Sequence, residues 1–207
     1  MEYFIEHFLG GLTRGSIYAL IALGYTMVYG IIQLINFAHG EIYMIGAFTA
    51  LIVAGILSML GWNPIVILLL ASVIAVVYSA SYGWTIEKLA YKPLRKAPRL
   101  SALISAIGMS MFLQYYVLLA QTSNFMPFPS LIPDFKFMEP IEHLVRSTEL
   151  VIYLTTAIVM VFLTFLIKFT RIGKAMRATA QDKDMAMLVG VDVNKVISFT
   201  FIIGSAT

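Results

Sequence analysis

SIYALIALGYTMVYGIIQLI, residues 16–35, runs for 20 positions without a formal charge. A helix rises about 1.5 Å per residue, so such a run spans roughly the 30 Å of hydrocarbon in a bilayer. Similar runs follow at 42–60, 64–84, 101–120 and 150–167, and another begins at Val196 and reaches the last residue, Thr207. Of the 207 residues, 60% are apolar and 12% charged, against about 45–50% and about 25% in a soluble domain. The runs predict an all-α polytopic membrane protein, a bundle of about six transmembrane helices forming a single transmembrane domain over 1–207. A sixth helix confined to 196–207 would end inside the bilayer with unpaired carbonyls. The expectation is therefore a chain that is C-terminally incomplete, or one completed by a partner. MEYFIEH, residues 1–7, lacks the basic region and cleavage site of a signal peptide. The absence of cysteine excludes disulfides and thiolate metal sites.

Cations set the orientation. The segment 87–99 carries Lys88, Lys92, Arg95, Lys96 and Arg99 against one acid, and 168–195 carries Lys168, Arg171, Lys174, Arg177, Lys183 and Lys195; together they hold 11 of the 14 Lys and Arg. The positive-inside rule makes both cytoplasmic. The connector 121–149 holds Asp134, Lys136, Glu139, Glu142, Arg146 and Glu149 and faces outward, which places residues 36–41 at the cytoplasmic end of the first span and the N-terminus outside. Basic loops beside a membrane serve orientation and headgroup contact rather than nucleic-acid binding.

Small residues recur every four positions in three spans: Gly46, Ala50 and Ala54; Ala71, Ala75, Ser79 and Gly83; Ala102, Ala106 and Ser110. In lipid, helices associate through close backbone approach at such residues. The expectation is a tightly packed bundle.

Familiar catalytic patterns fail. GGLTRGS, residues 10–16, has the outline of a phosphate loop but lacks the lysine after its second glycine, so no nucleotide site is assigned to this chain. His39 and Glu41 are too few for a zinc site. Ser110 in Gly108-Met109-Ser110, with His39 as a base, would suit an intramembrane protease, but a serine in a row of small residues reads better as packing. A secondary transporter should carry acids within its spans and repeated halves; neither is evident. No catalytic residue and no metal ligand is assigned.

Two segments remain. NFAHGE, residues 36–41, places an amide, an imidazole and a carboxylate between two apolar runs, where ionisable groups default to function. It reads as a break inside the bundle forming a candidate gate, with Asn36, His39 and Glu41 paired to other spans and Tyr43 and Met44 in an apolar path. The alternative is an interfacial turn in which Asn36 ends the first helix and Gly40 supplies the bend. In the loop 168–195, Asp182 is a good N-cap, Asp184 complements the helix dipole and Gly190 suits a left-handed C-terminal position. A short helix over 183–189 is expected, with Met185, Leu188 and Val189 on one face, preceded by a separate helical stretch over 172–180. The loop suits either a soluble docking partner or a helix lying in the headgroups.

The stretches 15–48, 82–95, 102–114 and 171–206 are similar to the permease subunits of bacterial branched-chain amino-acid ABC importers, in particular the H-type of their two paralogous permeases. Gln181 departs from a more usual Glu, and Asn194-Lys195 from an acid followed by Arg. The resemblance implies residence in the bacterial inner membrane and a pump assembled from parts: an identical or paralogous permease chain, ATP-binding subunits that hold ATP and Mg, and an extracytoplasmic amino-acid-binding protein. It implies transport of leucine, isoleucine or valine, with urea or amides carried by close relatives. It also implies that 168–195 is the coupling loop, with Arg171, Gly173, Ala180, Asp182, Leu188 and Gly190 as its site residues.

Overall fold

The computed structural model describes residues 2–95, 97–122, 124, 126–132 and 146–207. The expected charges Lys96, Asp134, Lys136, Glu139 and Glu142 lie outside the described residues. Among the described residues, five helices are long and apolar enough to cross a membrane: α1 (Glu2–Ile32), α2 (His39–Met59), α3 (Pro64–Ile86), α4 (Arg99–Ala120) and α5 (Ser147–Phe169). Helices α6 (Arg171–Gln181) and α7 (Lys183–Leu188) form the long connector, and α8 (Val193–Ala206) is a shorter apolar helix of 14 residues. No more than 28% of the most apolar window of any long helix is buried. The remaining apolar surface requires lipid or other protein around it.

Two boundaries differ from the sequence expectation. The first helix begins at Glu2 rather than near Ser16, because no proline interrupts the polar N-terminal turns and a helix does not end where its apolar run does. Its first turns rest on α5, where the Tyr153 hydroxyl donates to the Leu9 carbonyl at 3.0 Å. The third helix does not give way to a loop at Glu87. Residues Glu87–Tyr91 continue it as one π-helical turn, closed by the Lys92 N–H on the Glu87 carbonyl at 2.8 Å.

The predicted small-residue faces are used. Gly46 of α2 lies against the Ser79 side chain of α3, and Ala54, Ile67 and Ala71 are buried together at the far end of the same pair. Ala102 and Ala106 of α4 are buried, and Ser105 donates to the Ala90 carbonyl in the π turn at 3.4 Å. The tightest contact involves α8, which is wedged between α1 and α3. A methyl group on Gly204 would lie 2.8 Å from Val28 Cγ2 and 2.9 Å from the Gly24 carbonyl oxygen, and one on Gly83 would strike Ser205. Phe201 between them is fully buried. Glycine brings these backbones together because no side chain stands between them.

Candidate functional site

The chain between α1 and α2 reverses within six residues. Gln33 ends α1 with φ +59°, a left-handed conformation uncommon for a residue with a Cβ. Asn36 then organises the turn: its Oδ1 accepts from the Ala38 N–H at 3.1 Å and from the Tyr91 hydroxyl at 3.0 Å, and its carbonyl accepts from the His39 N–H at 3.2 Å. Since a backbone N–H can only donate, the Ala38 contact fixes which end of the amide is the oxygen. The alternative expectation, Asn36 ending the first helix with Gly40 as the bend, is corrected: α1 ends at Ile32, Gln33 carries the left-handed step and Gly40 lies inside α2.

Asn36, Ala38, His39 and Ile42 are all buried. The His39 ring meets Tyr25 edge-on, with centroids 6.1 Å apart. Asn36 Nδ2 and His39 Nδ1 have no hydrogen-bond partner among the described residues. Glu41 Oε1 accepts from Ser110 of α4 at 3.2 Å, so that serine is engaged by a carboxylate and not arranged as a nucleophile. Met44 lines a cavity of ≈ 580 Å³ between α2 and α4, with Phe48, Gln114, Val117, Thr122 and Phe128. Tyr43 is exposed. The five gate candidates thus divide into a buried pair, a link to α4, a cavity wall and an exposed ring.

The connector after α5 is built from local caps. Thr170 accepts from the Gly173 N–H at 3.0 Å and starts α6. Gly173 sits so close to the Leu166 and Ile167 carbonyls that a Cβ would collide with both. Arg177 donates to the Ile167 carbonyl, and to that of Lys168 at 3.3 Å, satisfying acceptors that a helix end leaves open. Asp182 caps α7 by accepting from the Asp184 and Met185 N–H groups at 2.9 and 3.0 Å. The other end closes as a Schellman motif: Gly190, at φ +87°, donates to Met187 and Val191 donates to Ala186, both at 3.0 Å. These caps fit the expected short helix. They leave Leu188 81% and Val189 76% exposed at its tip, with Met185 also exposed. Arg171 is exposed, Ala180 half-buried, and Lys183 reaches back to donate to the Ile32 carbonyl at 3.1 Å.

One cluster escaped the sequence reading. Glu87, 1% exposed, pairs through Oε1 with Arg95 and accepts on Oε2 from Ser198 of α8 at 2.8 Å. Arg95 also donates to Asn194 in the first turn of α8. Just before it, Asp192 accepts from the Lys195 N–H at 3.1 Å, a bond that holds its carboxyl below the usual carboxylate range. Stripping one partner from a buried ion pair costs about 3–5 kcal/mol, because the other charge stays behind. The only hint in the sequence was an acid three positions beyond an apolar run. Its partners, 8 and 111 positions away, follow no local periodicity. Beside this cluster, Ile32, Lys183, Met187, Arg95, Asn194 and Ile197 line a second cavity of ≈ 590 Å³.

A family model described as the permease component of branched-chain amino acid transport systems matches residues 7–207. The chain belongs to this permease family. Three relatives are each 45% identical over 208 residues: the high-affinity branched-chain amino acid transport system permease proteins LivH of Escherichia coli K12 and of Salmonella typhimurium, and BraD of Pseudomonas aeruginosa. Each match covers 99% of this permease and 68% of the relative. No solved structure matches the chain. In the permease, the turn after α1, the α6–α7 connector and the Glu87 cluster lie at one end of the bundle, joined by the Lys183–Ile32, Tyr91–Asn36 and Arg95–Asn194 contacts.

Proposed function

We propose that the permease carries leucine, isoleucine and valine across the bacterial inner membrane as one subunit of an ATP-driven importer. The observation that carries this reading is α7: a doubly capped helix with an apolar tip exposed on the same end of the bundle as the cation-dense connectors. By the positive-inside rule that end is cytoplasmic, where a separate ATP-binding subunit would seat Leu188 and Val189 in a groove. Burying one such side chain contributes about 1.5–3 kcal/mol. ATP and Mg belong to that subunit. An extracytoplasmic binding protein would deliver substrate to the opposite end, and a second permease chain would complete the path.

Gly173 and Gly190 keep the connector's two sharp turns, Asp182 and Ala180 hold the junction between α6 and α7, and Arg171 stands exposed at its entry. Movement of α7 would reach α1 through Lys183 and then the buried turn. There Asn36 and His39 would act as the gate, exchanging partners between states, with Glu41 tying α2 to α4. The cavity beside Met44 suits an aliphatic side chain, with the amide of Gln114 near it.

The test is reconstitution of the permease with its partner subunits in proteoliposomes, measuring ATP-dependent uptake of labelled leucine, urea and a polar amino acid. Leucine uptake with neither of the others is the expected result; uptake of urea alone would overturn the substrate assignment. Leu188→Asp and Gly190→Val are expected to lose co-purification with the ATP-binding subunit. Undiminished complex in both would remove the docking role from α7.

A further inference from the structure

We infer that Arg95 is a positioning residue for energy coupling, joining the α3–α4 connector to the α7–α8 segment so that motion at α7 drives α3 and α4 as well as α1. This rests on the reading of α7 as the docking element.

The link centres on the two carboxylate oxygens of Glu87. One is held by Arg95 from the connector and the other by Ser198 from α8, so a single buried carboxylate ties three elements. Arg95 has a second acceptor in Asn194, on the first turn of α8. Its guanidinium is a rigid fork able to serve two acceptors at once, which a lysine ammonium on a flexible stem does less well. The segment from α7 to Asn194 is short and fixed at both ends, by the Schellman closure at Gly190 and by the Asp192 cap on α8. A displacement of α7 therefore reaches Asn194 with few free torsions to absorb it.

The receiving side is equally fixed. Glu87 sits in the π turn that continues α3, and the same turn places Tyr91 on Asn36 and receives Ser105 of α4 on Ala90. A pull on Arg95 thus reaches α3, α4 and the buried turn after α1. Stability alone does not account for this arrangement, since well-packed apolar residues replace buried ion pairs at little or no cost. What the pair adds is a directional link between the connector and α8 through Glu87 and Asn194.

The test uses the complete importer in proteoliposomes and reads leucine transported per ATP hydrolysed. Arg95→Lys keeps the charge beside Glu87 but shortens the reach to Asn194. Asn194→Ala removes only the second acceptor and leaves the ion pair and the fold in place. Both are expected to keep the assembled complex and its ATP hydrolysis while the ratio falls roughly fivefold or more, the scale of one coupling interaction. Asn194→Asp, which retains an acceptor oxygen, is expected to hold the ratio. A ratio unchanged in Asn194→Ala, or transport and hydrolysis falling in proportion, overturns the inference. Should Arg95→Lys fail to assemble, Asn194→Ala decides alone. The docking reading is judged separately, by complex recovery with Leu188→Asp: undiminished complex there removes the docking role and this inference with it, whereas lost complex there with an unchanged ratio in Asn194→Ala overturns the role of Arg95 alone.

Discussion

Gly204 shows how one residue can fix the position of a helix. Its α-hydrogens face Val28 and the Gly24 carbonyl, and any larger side chain must push α8 away from α1. Gly204→Val is therefore expected to destabilise the permease by about 1–3 kcal/mol, the usual cost of overpacking a filled site, read as a lower Tm in detergent. Gly55→Ala, at a helical position with open space around it, should leave Tm unchanged or slightly raised. Asp182 and Gly190 were legible from sequence because caps act within a few positions of themselves. Gln33 was not. The turn after α1 offered Asn36 and Gly40 as better candidates for a bend, and tertiary burial of Asn36 under Tyr91 moved the left-handed step three residues earlier. Asn194, noted only as a departure from the usual acid, proves to be the second acceptor of Arg95.

Among elements, the π turn at 87–91 carries the most consequence for its length. One additional residue per turn rotates everything after it by about 100°, the angular step of an α-helix. That rotation puts Tyr91 over Asn36 while Glu87 still faces α8. Inserting one alanine after the exposed Leu89 adds a further step of about 100° and should turn Tyr91 and Arg95 out of register together. The expected outcome is a folded permease with leucine uptake reduced at least tenfold, whereas Leu89→Ala should transport normally; equal uptake by both would deny the turn its role. Such turns cluster at functional sites, but hydropathy is blind to them, since it reads how apolar a residue is and not which carbonyl its N–H reaches. The spans themselves, the two short connector helices and the small-residue faces of α2, α3 and α4 were readable because each obeys a local period. The wedge of α8 was not, as it depends on glycines 180 positions apart meeting across the bundle.

The whole molecule obeys a division of charge. Contacts from Lys183 to Ile32 and from Arg95 to Asn194 gather both cation-dense connectors at one end, which is the arrangement the positive-inside rule requires of loops separated by two crossings. Cysteines introduced at Lys92 and Asp184, both exposed, are expected to react with an impermeant thiol reagent in inside-out vesicles and to resist it in intact cells. Labelling from outside the cell would invert the orientation and remove α7 from reach of ATP. Composition alone divided the chain between lipid and water. It could not show which polar groups would be buried together at that end, because such partners are chosen by the folded bundle and not by sequence distance.

The bond from Lys183 to the Ile32 carbonyl spans 151 positions, and that separation sets an order of events during synthesis. At about 5–20 residues per second, the first helix is made roughly 8–30 s before the lysine that finishes its last turn emerges from the ribosome. Until then the reversal after α1 lacks one of its ties, so the nascent first hairpin must enter the bilayer with a loose end. Only the arrival of the late connector converts it into a fixed joint.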